Sequence, residues 1–373
     1  MKWIAPLLLF ACACASAPPV RTGASPAPAG AAPYDAAPAA AHAIEVTIDD
    51  RAAREILASL SRPRFESSDP KVLQDLPAVR LAIADANRAP DVFERDFAAA
   101  FDETVRTSVF NFRQVRQEKE RWQTLLEGIR ARQPELARVA FRRAAALLPG
   151  DRPVSVRLQV YFSFGIAGLA DHLVVSASNG REAMIVDLAR ALGESQADPF
   201  ESQLQRLARL IAGEAFRQAW AAYREGSPAW KQPDPSLGQL DILLRAVAGA
   251  GPGALFSVDE NFFPLSLWLK EPMNRLVGEF NRTAEKLGET QDNLEARMEL
   301  TSEIRRGNFM GRVAGPAGAF LCDAIVQAEG LNGLRAALEK GPRAFFDAYD
   351  RAAQKDRGLV PLSHVIREKL GRK

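Results

Sequence analysis

The chain is 373 residues long, with 47% hydrophobic residues, 25% charged residues and a formal net charge of +2. That length carries the core of about two domains, and the near-neutral balance excludes a protein drawn to nucleic acid or anionic lipid by overall charge. Short basic pairs such as Arg142-Arg143 and Arg305-Arg306 read as solvated helix faces, so no nucleic-acid partner is expected.

Residues 1–15 read as a signal peptide. Lys2 supplies the positive end, and Ile4 to Ala11 is an apolar run too short to span a bilayer. Two exits fit. Leu9-Phe10-Ala11-Cys12 resembles a lipobox with Cys12 as the lipidated residue, and Ala13-Cys14-Ala15 fits ordinary small-x-small cleavage. Either exit implies export, to the periplasm or to an outer-membrane anchor, with the lipid as the only membrane attachment. Residues 16–43 form a Pro/Ala-rich tether that cannot bury a core. Beyond the leader, Cys322 is the one cysteine certain to remain, and its apolar helical context makes it a small buried hydrophobe.

Residues 44–149 are expected to be a helical N-terminal region. Asp69-Pro70 reads as an N-cap with proline at the first helical position, Asp91-x-x-Glu94 resembles a capping box, and Phe93, Phe97 and Phe101 recur at helical spacing. The period then changes to two. Val154, Val156, Leu158, Val160, Phe162 and Phe164 alternate with polar residues as in a half-buried strand. Strands over 172–177 and 183–188 follow, joined by Ser178-Asn179-Gly180-Arg181, a strong hairpin signal. The sheet is expected to have about three strands and to be mainly antiparallel. It shares the segment 150–226 with a long helix opened by Asp198-Pro199.

The apolar stripe of that helix runs Phe200, Leu204, Leu207, Ile211 and then reaches Glu214 and Gln218, so the core-facing side turns polar in mid-helix. Residues 227–373 form a helical C-terminal lobe. Within it, Pro316 to Ala328 and Leu331 to Lys340 are helices closed by Gly330 and Gly341. The run Gly249-Ala250-Gly251-Pro252-Gly253 follows a helix, which argues against a phosphate-binding turn.

At the polar break stands Gly213-Glu214-Ala215-Phe216-Arg217, aligned with the His-Glu-x-x-His of zinc peptidases. Two histidines four apart on a helix face one metal, and the glutamate between them activates its water. Together with Gly315-Pro316-Ala317-Gly318-Ala319-Phe320-Leu321 and Pro342 to Tyr349, the segment resembles bacterial zinc-dependent metallopeptidases of the gluzincin type over roughly residues 150–355. The resemblance implies an α+β, mostly α, zincin-like fold with the sheet packed on the motif helix. It places Glu214 at the general-base position, Gly213 and Arg217 at the two vestigial ligand positions, and Trp220 at an aromatic that follows the motif. The third ligand is expected near Ala250-Gly251, where no carboxylate stands. Glycine offers no donor atom and arginine stays protonated, so no metal and no cofactor are expected.

Gln218, Trp220, Asp241, Asp259 and Glu260 are candidates to line the old cleft, and residues 237–260 to close it. Arg217 is expected to replace the lost metal charge, by pairing with Glu214 or by reaching Asp241, Asp259 or Glu260. His172 and His364, taken as the only histidines of the folded region, have no ligand-spaced partner. The expected function is that of an exported, inactive metallopeptidase-like protein whose cleft binds a peptide or protein partner. Two alternatives stay open: an active zinc-dependent peptidase with non-standard ligands, and a helical envelope lipoprotein scaffold unrelated to peptidases.

Overall fold

Alternation at period two builds the sheet. In the computed structural model, β1 (Ala43–Asp49), β2 (Ser155–Ser163), β3 (His172–Ser176) and β4 (Glu182–Asp187) lie in the order β1-β2-β4-β3. The structure describes residues 42–371 apart from positions 103, 106 and 108 and segments 167–169, 177–181, 194–197, 256–266, 291–292 and 307–308. The described residues belong to one compact unit, 33–373; the other unit, 1–32, lies outside them, as do the leader, Cys12 and nearly all of the tether.

The α+β, mostly helical class holds, but the sheet differs from the one expected. β1 pairs with β2 in parallel, β2 with β4 in parallel, and only β3 with β4 is antiparallel. The parallel β1–β2 pair, in register from Ala43 opposite Ser155 to Asp49 opposite Tyr161, requires a crossover. The N-terminal helices supply it: α1 (Arg51–Leu60), α2 (Asp69–Gln74), α3 (Pro77–Asp85), α4 (Pro90–Ala98), α5 (Phe112–Gln117), α6 (Lys119–Ala131) and α7 (Gln133–Ala146). The stretch expected to be helical throughout therefore opens with a strand. Ile44, Val46 and Ile48 alternate with Glu45, Thr47 and Asp49, a signal short enough to be absorbed into the helical region. The Asn179-Gly180 turn lies outside the described residues, although the antiparallel strands it was expected to join are present.

β4 is flanked by β2 and β3, and Ala183, Met184, Ile185 and Val186 are all buried, so both of its faces are covered. Among the N-terminal helices, Phe93, Phe97, Phe110 and Phe112 form a ring cluster with edge and stacked contacts. Asp96 is fully buried there and accepts from the amides of Val109 and Phe110 at 2.9 and 3.1 Å. The expected Asp91 capping box is not formed: α4 starts at Pro90, and no side chain caps it.

After the sheet come α8 (Leu188–Gly193) and the 27-residue α9 (Phe200–Gly226), which packs on α7, β2 and β1. The C-terminal half comprises α10 (Pro228–Lys231), α11 (Leu240–Leu255), α12 (Leu267–Glu289), α13 (Leu294–Arg306), a π-helical turn at Met310–Ala314, α14 (Gly315–Lys340), α15 (Pro342–Lys355) and α16 (His364–Lys369). Gly330 breaks α14 with φ +74°, and Gly341 ends it with φ +97°, both in the left-handed region that glycine accepts. No helix among the described residues is long and apolar enough to cross a membrane. Cys322 is a free, fully buried thiol, as its context implied.

The glycine run of α11 is a helix crossing. A Cβ on Gly251 would stand 2.4 Å from the carbonyl carbon of Gly318 on α14. A Cβ on Gly318 would stand 2.4 Å from the carbonyl oxygen of Val247. Both obstacles are backbone, so neither can swing aside. Gly251→Ala and Gly318→Ala are each expected to cost about 1–3 kcal/mol. Gly253→Ala, which meets nothing within 4 Å, is expected to be neutral or to stabilise by up to about 1 kcal/mol. Urea denaturation midpoints separate the two classes.

Candidate functional site

The stripe of α9 determines which side chains enter the core. Leu204, Leu207 and Ile211 are buried, and four-three spacing then carries Glu214 to the same face, where it is 5% exposed. A carboxylate at that depth requires compensation. Arg217, one turn on, supplies it in a two-point grip. Its Nε donates to Glu214 Oε2 at 2.8 Å and its Nη2 to Oε1 at 2.7 Å. Gln218 Nε2 adds a bond to Oε1 at 2.9 Å. Nη2 of Arg217 also bonds Glu182, at the start of β4. The guanidinium is thus held protonated well above its ordinary value, by Glu214 first and by Glu182 as well.

The two carboxylates reach Arg217 from different directions. Glu214 is on the buried side and Glu182 is half-exposed, while Arg217 itself is exposed at its outer edge. Beside them a groove of about 540 Å³ runs between α9 and the beginnings of β2 and β4. Arg217, Gln218, Ala221, Ala222 and Glu225 form its helical side; Ser155, Val156, Arg157 and Glu182 form its strand side. The sequence-level candidates Arg217 and Gln218 therefore line one groove next to buried Glu214.

Other candidates lie elsewhere. Trp220 is not a cleft residue. It is buried in the core, stacked on Phe216 and Tyr223 and edge-on to Trp230, with Nε1 donating to the carbonyl of Gly249 at 2.8 Å. Asp241 is buried at the start of α11, where Arg245 Nε reaches its Oδ2 at 2.5 Å and the amide of Asp234 its Oδ1 at 3.3 Å. Its partner is thus Arg245, not Arg217. Asp259 and Glu260 lie outside the described residues. α11 meets α9 through Gly249, and none of its residues lines the groove, so 237–255 do not close it. Sequence reasoning missed Glu182, the second carboxylate on Arg217, since nothing in a linear chain links position 182 to 217.

A zinc ion does not fit the motif. Gly213 presents no donor, Arg217 places a cation where a ligand would stand, and Glu214 accepts three hydrogen bonds from Arg217 and Gln218. Among the described residues no three His, Cys, Asp or Glu side chains gather in a metal-holding group. His172 Nδ1 is 2.6 Å from Asp171 Oδ1, and His364 is exposed at the start of α16.

A glutamate buried in mid-helix, on a long helix laid against a small mixed sheet and backed by a helical half, fits the metallopeptidase-like class of α+β proteins. The chain belongs to the family described as "Putative zinc dependent peptidase (DUF5700)", which residues 73–358 match. The match takes in α9, three of the four strands and the helices of the C-terminal half through α15, and it extends into the N-terminal helices, beyond the 150–355 of the motif-level resemblance. Nothing among curated proteins or solved structures matches the chain.

Removing Arg217 would strand a buried carboxylate. Arg217→Ala is expected to destabilise the fold by about 1–3 kcal/mol, the cost of leaving such a group without its donor. In an Arg217→Ala/Glu214→Leu double variant much of that loss should disappear. A double-mutant cycle by chemical denaturation measures the coupling; additive losses would show that the pair does not interact.

Proposed function

We propose that this peptidase-family chain is a catalytically inactive homologue, and that the groove beside Arg217 receives a peptide or protein partner. The observation that carries this reading is the two-point grip of Arg217 on Glu214. A general base needs a free, basic lone pair aimed at a water. The oxygens of Glu214 are instead occupied by three donors, two of them from a permanent cation. Charge-assisted bonds of this kind occupy the carboxylate oxygens and fix their orientation. With glycine at one vestigial ligand position and arginine at the other, no step of metal-assisted hydrolysis can be written through this helix.

The groove has chemistry suited to recognition. Its floor carries the small side chains Ala221, Ala222 and Val156, and its rim carries Arg157, Arg217, Glu182 and Glu225. Mixed charge around a shallow apolar floor suits an extended peptide segment, whose amides and side chains can use both signs. The leader-like N-terminus supports export of the mature protein, with Cys12 as the lipid attachment point in the lipobox reading.

Metal content and cleavage test the first part. Protein purified from zinc-supplemented medium is expected to hold far less than one zinc per chain by elemental mass spectrometry, and to show no chelator-sensitive cleavage of a peptide library. One zinc per chain with chelator-sensitive turnover would establish the alternative of an active peptidase with non-standard ligands. For the anchor, labelled palmitate is expected to appear on the wild-type chain in cells and to vanish in Cys12→Ala. Labelling that survives the substitution would remove the lipobox reading.

A further inference from the structure

The residue just before β1 is a buried histidine that the tether boundary had excluded from the folded region. His42 is 6% exposed, and neither ring nitrogen has a hydrogen-bond partner in the protein. One residue on, the amide of Ala43 donates to the carbonyl of Val154 at 2.8 Å and opens the parallel pairing with β2. The imidazole thus sits at the point where the N-terminal segment becomes part of the sheet.

The charges acting on it come from two further elements. Arg335 of α14 is itself buried, with Nε donating to the carbonyl of Ala146 at the end of α7 at 2.5 Å and Nη1 reaching Asn332 at 3.2 Å. Asp151, in the loop before β2, is committed elsewhere: it accepts from the hydroxyl of Tyr223 on α9 at 2.8 Å and lies 3.7 Å from Arg152 Nε. Burial first, then the Arg335 guanidinium, push the His42 imidazole below its ordinary value, and Asp151 offsets them only in part. A neutral ring is tolerated there; a charged one would be a second cation in a desolvated place beside the first.

We propose that His42 is a proton-operated latch: neutral, it seats the start of β1 against β2; protonated, it is expelled and releases the beginning of that strand. The sign follows from linkage. The unfolded or released chain takes up a proton near the usual histidine value of about 6.5, whereas the seated ring resists it, so the seated state loses stability as pH falls below about 6.5. β1 is an edge strand with a single neighbour, so its first residues can detach without disrupting β2–β4 pairing. A drop in pH would thereby loosen the first residues of β1, the partners of Ser155, Val156 and Arg157 on the strand side of the groove, while the β2–β4 pairing and α9 stay folded.

The test uses the full chain. Between pH 7.5 and 5.5, the melting temperature of the wild type is expected to fall at least about 2 °C further than that of His42→Phe, the shift expected of roughly 1 kcal/mol in a chain of this size. His364→Gln, at an exposed position, serves as the control substitution. At pH 5.5, amide exchange over residues 43–46 should be about tenfold faster in the wild type than in His42→Phe, a difference of about 1.4 kcal/mol in opening. Equal pH dependence and equal exchange in the two proteins would overturn the latch. If His42→Phe does not fold, ring-proton NMR of the wild type decides. The expected result is a His42 midpoint below 6.5 with loss of β1 protection over the same range. A midpoint at or above 6.5 with β1 still protected would overturn it.

Discussion

Helix α9 faces two unlike neighbours, and the site follows from how one helix satisfies both. It lies against α7 and β2, and farther along its length Trp220 bonds the backbone of α11. A helix of 27 residues makes more than seven turns, so its buried stripe drifts, and different residues face each neighbour in turn. Apolar residues fill the stripe up to Ile211, and the bulky aromatics Phe216, Trp220 and Tyr223 take over toward α11. Glu214 occupies the changeover. A carboxylate there is tolerable only with a permanent cation within one turn, and Arg217 is the residue that satisfies this requirement.

That requirement is met by a residue of the chain itself. A divalent ion would neutralise the glutamate and organise the helix from outside the chain. A guanidinium does so from within it: Nε and Nη2 hold both carboxylate oxygens, and Nη2 also reaches Glu182 on the sheet. The helix and the sheet are thereby tied at the groove without any added group. This tie leaves the exposed edge of Arg217, with Gln218 and Glu225, lining the groove.

The C-terminal half contributes rigidity more than chemistry. The approach of α11 to α14 at Gly251 and Gly318 brings the two backbones to contact and fixes where α11 meets Trp220. The glycine run of α11 is thus a packing device. Asp241 serves the same end, turning Arg245 toward the carbonyls of Trp230 and Gln232.

The sequence by itself determined whatever depends on local period and on the valence of single side chains. The alternation over 154–164, the helix after Asp198-Pro199, the break at Gly330 and the polar turn of the stripe at Glu214 were all legible, because neighbours three, four or two residues apart share a face whatever the rest of the chain does. That Gly213 offers no donor atom and that Arg217 is a cation was legible from the side chains themselves. Tertiary structure alone decided the parallel pairing of β1, since its partner strand lies more than a hundred residues away and period cannot report strand direction. It also decided that Arg217 reaches Glu182 and not Asp241, that Trp220 belongs to the core, and that His42 is buried beside Arg335. Each of these joins residues distant in the chain, and such meetings are fixed by packing, which no linear pattern records.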